Sequence, residues 1–374
     1  LAIAAGMTSA ALVTGNTVVL KPSEQTPGIA RVLADVLWDA IAAEFPAGGR
    51  RGESAGGAIE AKKVLHFLPG PGEEVGAALV RDPRVSLLAF TGSKAVGLDI
   101  IRAAGETRED DGQHFVKKVV CEMGGKNAIV VDVSADLDEA VLGVRRSAFG
   151  FQGQKCSACS RCVVVDPEGP EGRQTRLFVE RLVESSRSLV IGSPLDGGSD
   201  VGPVIDDEAH AKITAAIERA RADGLREELA MDPPADLPDD GVRPRRYVGP
   251  HIFSGVEPHH DLAVNEVFGP VLAVMHARTF GEALAIANGH RYKLTGGVYS
   301  RKPAHLERAK RDFRVGNLYL NRNITGALVG RQPFGGFGLS GVGSKAGGDE
   351  YLFQFVEPRA MSENTMRRGF APEL

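Results

Sequence analysis

Residues Val85–Ala104 read VSLLAF, then TGSKAVG, then LDIIRAA. A short apolar run ends in a Gly/Ser loop, and a helical stretch follows. The same order occurs twice before. TVVL (Thr17–Leu20) leads into KPSEQTP (Lys21–Pro27) and a helix opening at Thr26 and Pro27, an N-cap and N1 pair. VLHFL (Val64–Leu68) leads into PGPGEE and the helical run EVGAALV (Glu74–Val80). Strand, loop and helix in repetition predict an α/β fold with a parallel sheet. Ligands of such sheets sit at the carboxyl ends of the strands, where these three loops lie. In the helix after Thr26, Ile29, Val32, Leu33, Val36, Leu37 and Ile41 recur by threes and fours, which predicts one buried face.

The alternation continues through VVCEMGG (Val119–Gly125), the strand NAIVVD (Asn127–Asp132), a helix from about Ala135 to Gly150, a cysteine loop and the strand CVVVD (Cys162–Asp166). Amphipathic helices are expected from about Arg173 and over Asp207–Ala222. Two stretches read as solvated insertions: PAGGRRGESAGGAIEA (46–61) and DPPADLPDDGVRPRR (232–246). The last part, Gly330–Gly348, is glycine-rich.

The first twenty residues carry no charge. Gly6, Thr8, Ser9 and the turn pair Gly15-Asn16 argue against a membrane span and for a buried helix, a turn and a strand. They also lack the basic front and cleavage pattern of a signal peptide. A chain that opens inside a buried element is expected to be truncated. The 374 residues, with a net charge of −4, suffice for two or three domains and give no argument for nucleic acid or a membrane surface. Four cysteines in this length are not a disulfide framework and suggest a reducing compartment.

Three of those cysteines lie in GQKCSACSRC (Gly153–Cys162) at C-x2-C-x2-C spacing. A metal or cluster site needs about four ligands, and Cys121 is the one thiolate left to complete the set. Strand alternation from Cys159 to Cys162 makes three converging sulfurs hard to arrange. His259-His260 beside Asp261 match no standard site. The other reading makes Cys156 a nucleophile, with adjacent Lys155 favouring thiolate. Glu122 would be a partner base, at a strand end where Gly124-Gly125 let the backbone turn. For anions, Gly70-Pro-Gly72 with Gly76 is a strand-to-helix turn that can offer free N–H groups to a pyrophosphate, or simply a tight turn. Thr91-Gly92-Ser93 is a second such helix start. Lys21 and Glu24 can grip ribose hydroxyls.

Together these stretches resemble the aldehyde dehydrogenase superfamily. EMGGKN at Glu122 and GQKC at Gly153 are similar to its two signatures, with Glu122 and Cys156 34 residues apart as in that family. KPSEQTP, PGPG, FTGS (Phe90–Ser93), NEVFGPV (Asn265–Val271) and PFGG (Pro333–Gly336) follow in the family's order. GQKCSACSR, the stretch Val298–Gly336 and SGVGSKAGG resemble the 1-pyrroline-5-carboxylate (L-glutamate γ-semialdehyde) dehydrogenases. The resemblance implies that fold, with an incomplete NAD-binding domain over 1–122, a catalytic domain over 123–339 and an oligomerisation segment over 340–374.

It also implies roles. Cys156 is the nucleophile and Glu122 the base that activates water, which sets the metal reading aside. Lys21, Ser23 and Glu24 hold the adenosine ribose. The Glu24 carboxylate repels a 2′-phosphate and so favours NAD over NADP. Gly72, Gly76, Thr91, Gly92 and Ser93 meet the pyrophosphate, and Gly124, Glu266 and Phe268 the nicotinamide end. Lys155, Ser157, Gly326, Ala327 and Phe334 cradle the semialdehyde. The implied reaction is NAD-dependent oxidation of that semialdehyde to glutamate in proline catabolism. It implies a cytoplasmic homo-oligomer, fused to or partnered with a proline dehydrogenase, with no nucleic-acid or membrane partner. In that family Pro-Trp-Asn-Phe-Pro precedes the position of Leu1 and supplies an oxyanion donor, a group worth about a hundredfold in rate. The chain is therefore expected to be a piece of an enzyme, with full folding and turnover of the isolated piece in doubt. Three other readings are a dehydrogenase for a different aldehyde, an inactive assembly partner and a cluster-binding module.

Overall fold

The computed structural model describes residues 1–45, 60–106, 109–235, 237 and 246–365. Most of the two expected insertions, and the chain from 366 onward, lie outside the described residues.

The chain opens with α1 (Ala2–Val13), β1 (Val18–Leu20), α2 (Pro27–Glu44), α3 (Ala61–Val64) and β2 (Leu65–Phe67). After a tight turn come α4 (Ala77–Arg81), β3 (Leu87–Thr91), α5 (Lys94–Ala104) and β4 (Lys118–Glu122). These are the three expected strand–loop–helix units. β1 pairs with β2 and β3 with β4, both in parallel. The two pairs belong to separate small sheets, flanking a cavity of about 1250 Å³.

The next elements are β5 (Asn127–Val131), α6 (Leu137–Phe149), β6 (Cys159–Val165), α7 (Arg173–Arg187), α8 (Asp207–Ala222), β7 (Arg226–Ala230), β8 (His251–Ser254), α9 (Asp261–Val264) and β9 (Val271–Ala277). They continue through α10 (Phe280–Asn288), β10 (Tyr292–Lys293), β11 (Thr295–Tyr299), α11 (Pro303–Asp312) and β12 (Asn317–Leu320). Seven of these strands form one sheet, in the order β12-β11-β5-β6-β9-β8-β7, parallel except for β7. Helices pack on both faces, so its central strands are continuous apolar runs. Ile129, Val130 and Val131 are fully buried, as are Val163 and Val164. Finally β13 (Phe337–Gly338) pairs with β10, and β14 (Gly341–Val342) folds back antiparallel on β4.

Three expectations need correction. The opening helix forms where expected, but it is mostly exposed, with only Thr8 and Ala10 buried. In α2 the buried residues are Ala30, Leu33 and Ala34, while Ile29, Val32 and Val36 face outward. The helix carries more apolar surface than one stripe, and β2 covers only the side toward it. Cys159 and Cys162 do not diverge. Asn127 pairs with Cys159 but Ala128 pairs with Arg161, so the strand bulges at Ser160. The extra residue resets the alternation, and both thiols enter one apolar cluster.

Candidate active site

Glu122 ends β4, the middle strand of its sheet, between Thr91 of β3 and Gly341 of β14. The chain then runs straight into β5 through Met123–Lys126. Helix α6 ends at Phe149, and the backbone reverses through three consecutive residues with positive φ: Phe151, Gln152 and Gly153. Only glycine fits at 153, because a Cβ there would lie 2.2 Å from the Gly269 carbonyl oxygen. This reversal delivers Cys156 to the mouth of the sheet, at the amino ends of β5 and β6.

Asn127 locks that loop. Its Nδ2 donates to the carbonyls of Cys156 (2.8 Å) and Ala158 (2.9 Å), and its Oδ1 accepts from the Thr295 N–H (2.9 Å). A Cβ on Gly125 would lie 2.6 Å from the Cys156 carbonyl oxygen, so the segment after Glu122 passes directly beneath the Cys156 loop. Asn127 carries one sequence signal, as a polar residue opening an otherwise apolar strand.

Glu266 reaches the same place from after α9. It accepts the Gly125 N–H at 2.8 Å, and a Cβ on Gly124 would fall 2.1 Å from its other carboxylate oxygen. Phe268, next along, has φ 59 and is partly exposed.

The electrostatics separate the groups. Burial pushes Glu122 up to about 7, opposed by the Gly336 N–H and by Lys345. Its Oε2 is buried without a partner, the state of an acceptor with room for a proton donor. Burial, then the charges of Glu122 and Glu266, push the Cys156 thiol up to about 11. This corrects the expectation that Lys155 favours thiolate. Lys155 is exposed, with its ammonium 5.9 Å from the centre of the Phe151 ring. Cys121, Cys159 and Cys162 are buried thiols pushed up by desolvation. Among the described residues no group of three His, Cys, Asp or Glu gathers as metal donors.

Of the remaining expected residues, Lys21, Glu24, Gly72 and Gly76 line the large cavity; Ser23, Thr91, Gly92, Ser93 and the expected substrate cradle do not, nor do Cys156 and Glu122. Glu24 accepts the Gly72 N–H at 3.2 Å and lies 3.6 Å from the Lys21 ammonium. A Cβ on Gly76 would sit 3.7 Å from the Lys21 side chain. The Ser93 hydroxyl caps α5 through the Val96 N–H, and the Gly92 N–H donates to the Glu122 carbonyl. Ser23 stands apart, donating its hydroxyl to Gln25. Of the expected substrate cradle, Ser157 is buried with its carbonyl accepting from Thr295, and Gly326 has φ 87 with its carbonyl accepting from Tyr319. Phe334 pairs through its backbone with Ala346.

Residues 1–361 match the aldehyde dehydrogenase family, and the chain belongs to it. It is 44% identical to the 1-pyrroline-5-carboxylate dehydrogenase of Geobacillus thermodenitrificans and 40% identical to that of Bacillus subtilis. Each alignment covers 97% of this chain and 64% of the relative, so the chain spans just under two thirds of their length. Among solved structures it is similar to proline utilization A from Bdellovibrio bacteriovorus (TM-score 0.85, 45% identity, 98% of this chain and 34% of that one). It is also similar to a 1-pyrroline-5-carboxylate dehydrogenase from Thermus with bound NAD (TM-score 0.78, 43% identity, 92% of this chain and 60% of that one). Among the described residues no helix is long and apolar enough to cross a membrane.

Proposed function

We propose that this chain carries the cofactor-binding and catalytic core of an NAD-dependent L-glutamate γ-semialdehyde dehydrogenase. The observation that carries the reading is the pairing of Cys156 with Glu122. Two segments distant in the chain meet, one with a nucleophile and one with a carboxyl group raised to about 7 by burial.

The Cys156 sulfur attacks the aldehyde carbon and forms a hemithioacetal. Bound NAD would accept the hydride whose loss leaves a thioester on Cys156. Glu122 then takes a proton from water, and the hydroxide so formed releases the carboxylic acid and the free thiol. A carboxyl group that titrates near neutrality suits that last step, because it both accepts the proton and gives it up again.

The residues fit the cofactor. Glu24, Lys21 and the bare backbone at Gly72 and Gly76 make a cradle that side chains would fill. Glu24 would take the ribose hydroxyls, with Thr91, Gly92 and Ser93 at the phosphates and Gly124, Glu266 and Phe268 at the nicotinamide end. Ser23 serves this cradle only if its hydroxyl turns away from Gln25. Lys155, Ser157, Gly326, Ala327 and Phe334 would hold the substrate, with the Ser157 hydroxyl and the Gly326 and Ala327 N–H groups as donors to its α-carboxylate. The division at 122 and 339 into cofactor, catalytic and oligomerisation segments belongs to the same reading. So do a homo-oligomeric state, a cytoplasmic location and an association with a proline dehydrogenase.

Steady-state kinetics of the complete gene product test this. Glutamate semialdehyde should exceed a simple aliphatic aldehyde in kcat/KM by a wide margin. Equal values would reassign the substrate, and no NADH with either would favour a scaffold role.

A further inference from the structure

The base in this site has a cation behind it that the mechanism above does not use. Lys345 follows β14 in the glycine-rich stretch and is half-buried. Its ammonium donates to the Gly316 carbonyl (2.6 Å), the Gly335 carbonyl (2.7 Å) and Asn317 Oδ1 (3.2 Å). Three protons meet three acceptors, so the charge is held in one place and has no proton to spare for Glu122. Gly335 brings the two groups together. A Cβ there would lie 2.8 Å from Glu122 Oε1 and 3.3 Å from the Lys345 Cα.

The other titratable groups that sense Glu122 are Cys121, Cys156 and Tyr351. The two thiols sit near 11, and the phenol is raised above its ordinary value of 10. All three are neutral around pH 7. Among the described residues Lys345 is the charged side chain whose field lowers Glu122; burial lowers Lys345 itself from its ordinary value, and Glu122 opposes that by favouring the charged form. Three acceptor oxygens favour that charged form as well.

We propose that Lys345 is a positioning residue for the base: its clamped ammonium holds the Glu122 carboxylate ionised enough to take a proton from water at neutral pH. This rests on the base role given to Glu122, and it adds a device that sets the working pH of the hydrolytic half-reaction. The hydrogen-bonded clamp also ties the Phe334–Gly336 turn to β12, so the same side chain places the Gly336 N–H beside Glu122.

The test reads the Glu122 carboxyl group directly. Infrared difference spectra of this chain, parent minus Glu122→Gln, followed across pH, isolate its titration. The parent midpoint should fall near 7. Lys345→Met should move it up by about one unit, the usual reach of a nearby opposite charge. Lys345→Gln, which keeps a hydrogen-bond donor and loses the charge, should do the same, and Lys345→Arg should restore the parent midpoint. An unchanged midpoint in a folded Met or Gln variant would reduce Lys345 to a clamp and overturn the proposal. The readout involves no turnover, so failure to oxidise the semialdehyde would count against the functional reading and not against this coupling.

Discussion

The seven-stranded sheet and the small sheets that precede it carry similar apolar sequences and cover them very differently. In β5, Ile129, Val130 and Val131 are wholly out of solvent between helical layers. In α2, Val32 and Val36 are more than half exposed, and the cluster joining α1 to the rest has four buried members: Ala10, Val120, Tyr351 and Phe355. Cys156, the proposed nucleophile, is anchored in the first region, through Asn127 and the Gly153 reversal. The Lys21, Glu24 and Gly72 loops belong to the second, where local hydrogen bonds hold them. The site joins the two regions: Cys156 comes from the covered sheet, and Glu122 ends β4 of the small three-stranded one.

The largest expected effect is at the nucleophile. In the complete gene product, Cys156→Ala should lower NADH formation by more than about 10³-fold, since no other group in the site can form the thioester. Residual turnover measured with excess aldehyde would contradict the anchoring argument if it stayed within tenfold of the parent, an order-of-magnitude bound of about 1.4 kcal/mol. Next comes the covered core. Ile129→Ala should cost about 3 kcal/mol in urea unfolding, because the sheet and helices around it leave the cavity unfilled.

Glu122→Gln should preserve the first burst of NADH and slow later turnovers by about 10²-fold, as stopped-flow absorbance would show. The pH profile carries the sign. The folded carboxyl group titrates near 7, so hydrolysis should rise as pH passes upward through that value and level off above it. The Gln variant should lose that limb. Asn127→Ala should cost about 2 kcal/mol, leaving the Cys156 and Ala158 carbonyls without their donor. The smallest effect belongs to the looser region. Val36→Ala should change stability by less than about 0.5 kcal/mol. A cost there as large as that at Ile129 would mean the exposed face of α2 is covered in solution.

Much of this was legible beforehand for a physical reason. A strand–loop–helix unit is written in neighbouring residues: apolar runs, glycine turns, the Thr26-Pro27 helix start, the amphipathic stretches of α7 and α8. The order of the motifs pointed to the family, and two of them proved to meet. Local pattern could not say which side of α2 would be covered, because its apolar positions outnumber one stripe. Nor could it foresee the bulge at Ser160, which turns Cys159 and Cys162 to the same side.

The sequence by itself determined the alternation of elements, the nucleophile and base candidates and the glycine positions where backbone must pass closely. Tertiary structure alone decided the rest. It buried Glu122 enough to raise its titration to about 7, left Lys155 exposed over the Phe151 ring and set Asn127 under the Cys156 loop. It also brought Lys345 behind a base from the far side of the chain. Desolvation and the distance between charges depend on what packs around a group, and no local run of residues contains that information.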